Sequence, residues 1–146
     1  MSAAPAGKLY TTQLLSLATQ LGGFPLDDDL PYTAEERSRT CGSTIAIGLS
    51  LDQYGSVDRV GLRVSACAIG QASAAILALS AKGRRATDLA AMEPAITRWL
   101  AGQGPLPDWP GFADLEPALP HMGRHAALIL PWKGARQALF NAGLAS

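Results

Sequence analysis

Apolar and polar positions alternate strictly from Thr44 to Leu51. Ile45, Ile47, Leu49 and Leu51 fall on one face, and Thr44, Ala46, Gly48 and Ser50 on the other, the period of a half-buried β-strand. Asp52 to Ser56, with Gly55 inside it, reads as a hairpin turn, and Val60, Leu62 and Val64 repeat the period on the way back. Matching the two apolar faces pairs Ile45 with Val64, Ile47 with Leu62 and Leu49 with Val60. These residues predict a β-hairpin over 43–65. After it the pattern changes. Ala68 to Ala81 is rich in Ala, Leu and Ile and has no proline, which predicts a helix over 68–82. Lys82-Gly83-Arg84-Arg85 closes that helix, setting cations against the negative end of its dipole.

The remaining elements follow from the same signals. Leu14, Leu15, Leu17, Ala18 and Leu21 recur at helical spacing and Gly22-Gly23 stops them, so an N-terminal helix is predicted over 8–21. Phe24 to Arg39 carries Pro25, Pro31 and the triplet Asp27-Asp28-Asp29 and reads as loop. Three adjacent aspartates do not converge on one ion without a special turn, so the triplet reads as solvated. Thr87 is a candidate N-cap for a helical segment over 87–101, which Pro94 would kink or restart. A Pro- and Gly-rich loop over 102–120 surrounds Trp109, with a short helical turn from Asp114 to Leu119. A C-terminal helix over 124–141 contains Pro131. The sum is a single α+β domain spanning 1–146: a small antiparallel sheet of two to three strands with helices packed on one face.

Composition narrows the class. Of 146 residues 48% are hydrophobic, enough for a real core. Twelve basic side chains balance twelve acidic ones, and no basic stripe is interleaved with aromatics, so nucleic acid is not an expected partner. No apolar run approaches the roughly 18 residues of a membrane span. Met1 to Gly7 lacks the basic and apolar regions of a secretory signal. Two cysteines cannot build a disulfide framework. A cytoplasmic protein is expected.

The two cysteines are the candidate chemistry. Cys67 sits where the return strand meets the helix, beside unpaired backbone N–H groups and the positive dipole end. That setting favours an anionic sulfur, the form that attacks sulfur or binds metal. Extending the hairpin register sets Cys41 opposite Ala68, and opposed residues lie roughly 4.5–5.5 Å apart, so the cysteines are expected within about 10 Å at one end of the hairpin. Strict alternation aims them at opposite faces, whereas a bulge at Gly61 would change that; their facing is left open. No phosphate-cradling loop or nucleophile elbow is present, so an enzyme with its own turnover is not expected.

In order along the chain, Cys41-Gly42-Ser43, the hairpin, then Cys67-Ala68-Ile69-Gly70-Gln71-Ala72-Ser73, and finally Arg124-His125-Ala126-Ala127-Leu128-Ile129-Leu130-Pro131-Trp132 resemble the iron–sulfur cluster scaffold proteins: IscU, the N-terminal domain of NifU, and above all SufU. The likeness runs from about Tyr10 to Leu139. It implies the scaffold fold, a site holding zinc or a transient Fe–S cluster on three thiolates and a carboxylate, and a persulfide formed on one cysteine as the sulfur source. It implies a cysteine desulfurase and recipient apo-proteins as partners. Cys41 and Cys67 match two of the ligand positions. Ser43 stands where the family has aspartate, and Ala127 where it has the third cysteine. His125, two residues before Ala127, is a candidate replacement ligand, and His121, four residues earlier, a weaker one.

The leading reading is therefore a scaffold-like protein binding iron, a nascent cluster or zinc at Cys41, Cys67 and His125 and accepting sulfur from a desulfurase. The alternative is a degenerate relative without cluster or metal, acting as a protein-binding or regulatory module. A redox pair of Cys41 and Cys67 is a third, smaller reading.

Overall fold

The structure is a computed structural model that describes residues 9–144. The stretch read for a secretory signal and the first residue of the expected N-terminal helix lie outside the described residues. One antiparallel sheet contains β1 (Tyr32–Arg37), β2 (Thr44–Leu51) and β3 (Val57–Ser65), in that order. Between β2 and β3, Ile45 lies opposite Val64, Ile47 opposite Leu62 and Leu49 opposite Val60, the register the apolar pattern predicts. Ile47 and Leu49 have no exposed surface. A slip by one residue would turn that whole row to solvent, which is why the pattern fixes the register.

The third strand, β1, lies in the stretch read as loop. It pairs Tyr32 with Leu49, Ala34 with Ile47 and Glu36 with Ile45. Of its residues only Ala34 is buried. Charge on the solvent side of an edge strand blunts further pairing, and the same charge hides the strand from a hydrophobic pattern.

Four helices complete the fold: α1 (Thr12–Thr19), α2 (Ala68–Ala81), α3 (Ala86–Leu100) and α4 (His125–Asn141). α4 lies on β1 and β2, α2 on β3, while α1 packs on α2 and α3 on α4. From Ile69 to Ala78 only Gln71 of α2 escapes burial, as befits a helix covered on all sides. α3 begins one residue before the candidate cap Thr87. Its start is held by the backbone instead: Ala86 N–H donates to Gly55 O at 3.0 Å, and Arg85 bridges to Ser56. Pro94 and Pro131 sit inside continuous helices. The Pro-rich loop forms a 3-10 helix over Phe112–Ala118 and drives Trp109 inward. Trp109 Nε1 donates to Ile76 O at 3.0 Å, and its ring stands edge-on to Trp132 at 5.0 Å. Arg84 lies over the same ring, 5.0 Å from its centre, so this basic residue serves packing as well as the helix end. Among the described residues no helix is long and apolar enough to cross a membrane.

The opposite face of the sheet is partly covered by the segment after α1. Phe24 O accepts from Leu62 N–H at 2.9 Å on the free edge of β3, and the chain then crosses the cross-strand pair Gly61–Gly48. A Cβ built on Gly61 would lie 2.4 Å from Pro25 O, and one on Gly48 2.9 Å from Leu30 Cβ. Gly61 thus marks close backbone approach; the register irregularity falls instead between Ser50 and Leu51. Asp27 and Asp29 hold Arg59 at 3.0 and 2.9 Å, so two of the three aspartates of the triplet serve as an anchor for this crossing.

Gly61→Ala tests the crossing. Glycine-to-alanine exchange in a strand should help, but a contact with backbone oxygen cannot be relieved by a rotamer. Urea unfolding is expected to show a loss of about 1–3 kcal/mol; an unchanged or higher midpoint would show that this segment does not rest on the sheet.

Candidate functional site

Both cysteines leave the sheet at one end, where Thr44 pairs with Ser65. Cys41 lies in the tip joining β1 to β2. Ser38 N–H donates to Ser43 O at 2.8 Å and closes that tip, while Gly42 takes φ 73°, a left-handed conformation that glycine adopts without penalty. The closure brings two hydroxyls to the sulfur. Cys41 Sγ lies 3.2 Å from Ser38 Oγ and 3.1 Å from Ser43 Oγ. A hydroxyl accepts from the thiol and, by rotating, donates to the thiolate. The hydrogen bond from Ser38, then those from the Ser43 side chain and backbone, hold the Cys41 thiol below its ordinary value. The residue is nevertheless exposed, so an incoming reagent can reach it.

Cys67 is the residue just before α2, in extended conformation at φ −66°, ψ 173°. Its carbonyl accepts from Gln71 N–H at 3.0 Å, and Gln71 Nε2 donates to Ala66 O at 2.8 Å, fastening the strand-to-helix junction. Cys67 is half-buried against the core. Arg124, in the turn before α4, donates through Nε to Tyr10 Oη at 3.2 Å. Its guanidinium is held above its ordinary value first by Tyr10, then by the negative forms of Cys67 and Cys41. The one cation thus feels both sulfurs.

The third motif brings no cysteine to the site. Ala127 is buried, and a Cβ built on Gly70 in the first turn of α2 would lie 3.3 Å from the Ala127 Cβ. The position where the resemblance expects a third cysteine therefore packs one helical turn from Cys67, filled by a methyl group. His125 is anchored to the turn before it. Its Nε2 lies 2.8 Å from Leu119 O, and a carbonyl can only accept, so Nε2 carries the proton and the lone pair lies on Nδ1. His121 sits half-buried in the preceding turn. Among the described residues no group of three or more His, Cys, Asp or Glu side chains is placed to hold a metal ion. Cys41 and Cys67 share an end of the sheet; His125 is not gathered with them into a three-ligand set.

Sequence reasoning did not single out Ser38 or Tyr10. Tyr10 is remote in sequence and carried no signal. Ser38 had one, since Ser38 and Ser43 bracket Cys41 in a segment short enough to fold back on itself.

No protein-family model and no curated protein matches the chain, but solved structures do. The chain is similar to the N-terminal part of a nitrogen-fixing NifU-like protein from Brucella abortus, with 28% identity over 98% of this chain and 100% of that one and a TM-score of 0.84. It is also similar to a candidate iron–sulfur cluster assembly scaffold protein for the SUF system from Fervidobacterium islandicum, with 16% identity over 92% and 98% of the two chains and a TM-score of 0.82. The chain has the NifU- and SufU-like scaffold fold, and the resemblance drawn from its motifs is borne out across its length.

The two hydroxyls make a direct prediction. In Ser38→Ala and Ser43→Ala the Cys41 thiol should titrate at higher pH, because each loses a donor to the thiolate. Iodoacetamide alkylation of Cys41 at neutral pH should slow severalfold in each variant. Equal rates in wild type and both variants would show that the hydroxyls do not stabilise the thiolate.

Proposed function

We propose that the chain is a scaffold-like sulfur acceptor in iron–sulfur cluster assembly, with Cys41 as the thiol that receives sulfur from a cysteine desulfurase. An exposed thiol, held below its ordinary value by Ser38 and Ser43 at the tip of a scaffold fold, is the observation that carries this reading. The transfer needs no oxidant. Cys41 thiolate attacks the outer sulfur of the donor's persulfide, a new S–S bond forms, and the donor's S–S bond breaks. The electron pair leaves with the donor cysteine, and the outer sulfur keeps its proton or loses it to water. A low thiol pKa favours attack at neutral pH. The chain turns nothing over by itself; it carries.

Cys67 and Arg124 complete the setting. Cys67 offers a second thiolate for iron or a nascent cluster as cargo, and Arg124 offsets the negative charge of the sulfurs. Two thiolates fall short of the four donors of a closed zinc site. A resident zinc therefore does not fit the donors present, and the proposal rests on sulfur. Any further ligand to cargo iron would come from a partner or from the cluster's own sulfide.

The test is transfer of label from radiolabelled cysteine through a cysteine desulfurase. Wild type should take up label that dithiothreitol releases, and Cys41→Ala should fall to background. Cys67→Ala should still accept label but lose the visible absorbance that anaerobic iron addition gives the wild type. Undiminished labelling of Cys41→Ala would refute the assignment of the acceptor.

The burial of Ala127 against Gly70 favours a second reading, a relative that has lost the cluster and works by protein contact alone. This reading expects no iron or zinc by elemental analysis of anaerobically purified protein. It also expects an assembly partner to co-purify equally with wild type and Cys41→Ala. Stoichiometric metal, or loss of the partner with the thiol, would exclude it.

A further inference from the structure

The chain has two cysteines, and the sulfur-acceptor reading uses only one of them for sulfur chemistry. Their placement gives the second a part in it. On β2 the core-facing row is Ile45, Ile47 and Leu49, and Glu36 of β1 lies opposite Ile45. Ser43 and Ser38 stand two residues further out on the same row. Both are buried, unlike Arg37 and Arg39 beside Ser38. Since Cys41 Sγ lies against both hydroxyls, it is held on the side of the sheet that carries the helices.

Cys67 comes to the same side by another route. Strict alternation beyond β3 would send it to the opposite face, but the strand ends at Ser65. The turn into α2, which packs on β3, seats Cys67 against the core. Thr44 pairs with Ser65 at this end, so Ser43 and Ala66 are the next residues out. The sulfurs beside them share one corner, within about 10 Å of each other. Both cysteines are free, and a disulfide needs Cα atoms about 4.4–6.8 Å apart. Cys41 sits on the exposed turn 39–42, closed by Ser38 and Ser43, a short surface segment that moves without unravelling the sheet. The buried methyl of Ala127 occupies the neighbouring place at the first turn of α2. A persulfide on Cys41 thus has Cys67 as its one thiol neighbour in the chain.

We propose that Cys67 resolves the Cys41 persulfide: its thiolate attacks Cys41 Sγ, closes a Cys41–Cys67 disulfide and releases the delivered sulfur as hydrosulfide. The Sγ–Sγ bond forms as the bond from Cys41 Sγ to the outer sulfur breaks. The electron pair leaves with the outer sulfur, which keeps its proton. That sulfur is reduced by two electrons, and the cysteine pair is oxidised to the disulfide. The corner suits this direction of attack. The outer sulfur arrives from solvent on the exposed side of Cys41, whereas Cys67 approaches from the core side, so thiolate, Sγ and leaving sulfur can lie in line. Arg124, whose charge reaches both sulfurs, offsets that of the departing anion. An external dithiol reductant must then reopen the disulfide, giving up two electrons and becoming a disulfide itself. The chain would stand between a reaction that yields a persulfide and one that consumes sulfide. This deepens the sulfur-acceptor reading, on which it rests for the source of the persulfide. Transfer precedes resolution, so at early times the sulfur is still on Cys41.

The test uses glutathione persulfide as donor, without desulfurase, on the reduced full chain under anaerobic conditions. Cys41 takes the outer sulfur and glutathione leaves as the thiol. Hydrosulfide is trapped with monobromobimane, and the protein is followed by mass spectrometry with peptide mapping. Wild type is expected to release one hydrosulfide per chain, at a rate independent of protein concentration, and to end as the Cys41–Cys67 disulfide. Cys67→Ser should instead keep one extra sulfur on Cys41 and release hydrosulfide about tenfold or more slowly. Unchanged iodoacetamide alkylation of Cys41 in that variant shows that its tip is intact. A persulfide that persists on wild-type Cys41, a sulfur that migrates to Cys67, a disulfide between two chains, or equal release from Cys67→Ser would overturn the proposal. Failure of label transfer from a desulfurase, with closure by the small donor intact, would sink the acceptor role alone. The converse result would sink the resolving role alone.

Discussion

A single buried hydroxyl ties the site to the core. Ser73, without exposed surface in the middle of α2, donates to Leu128 O and accepts from Trp132 Nε1 at 2.9 Å. It therefore fixes α2 against α4 in both depth and rotation. Removing it would strand an indole N–H in a dry core and take a donor from a helix carbonyl, and an unsatisfied buried group costs about 1–3 kcal/mol. Cys67 lies two turns toward the N-terminus of α2, and Arg124 and Ala127 lie at the start of α4. The place of the sulfur relative to the guanidinium is thus decided some distance away, where Ser73 meets Trp132. The aromatic group around Trp132 reinforces the link. Trp109 and Phe112 stand edge-on to it at 5.0 and 5.9 Å, and Trp99 meets Phe112 at 5.4 Å, so the Pro-rich loop and α3 brace the same joint.

This explains why parts of the motifs were legible while their ligand set was not. Ala72, Ser73 and Trp132 are positions where α2 and α4 touch, and packing chemistry is dictated by volume and by a hydrogen bond that must be made. The hairpin register was equally plain, because Ile45, Ile47 and Leu49 have one dry face to occupy. β1 escaped notice since its partner dictates its register and its own residues, Glu35, Glu36 and Arg37, look like solvent. The acidic triplet is a solvated loop, as its composition predicts, but its partner was not legible, for Arg59, which Asp27 and Asp29 hold, lies 30 residues from Asp29 in sequence. The facing of Cys41 was open for another reason. A tip's conformation depends on local hydrogen bonds, here Ser38 to Ser43, that no periodicity encodes.

The uncovered half of the sheet and the crossing segment are two consequences of the same glycine pair. Gly48 and Gly61 let Pro25, Leu26 and Leu30 approach the strands closely, and that approach covers the end of the face remote from the cysteines. Leu30 is itself buried by it. The face nearer the cysteines carries Thr44, Ala46, Ser65, Arg63 and Arg37 instead, residues that neither demand cover nor offer a core. The loop is anchored at the remote end through Arg59, while Glu35 shares the nearer end with Arg37 and Arg63.

Ser43 and Ala127 stand where the resemblance expects aspartate and cysteine, and the two differences bear on one another. A carboxylate beside Cys41 would be a ligand to a metal, but without a metal it would repel the thiolate and raise its pKa. With Ala127 in place the third sulfur is gone, and a carboxylate would lose much of its purpose while keeping its cost. Ser43 resolves the conflict: it removes the negative charge and supplies a donor 3.1 Å from the sulfur. The two substitutions are thus mutually consistent. On the sulfur-acceptor reading, both suit a tip whose exposed thiol reacts, since a hydroxyl supports the thiolate that a carboxylate would oppose.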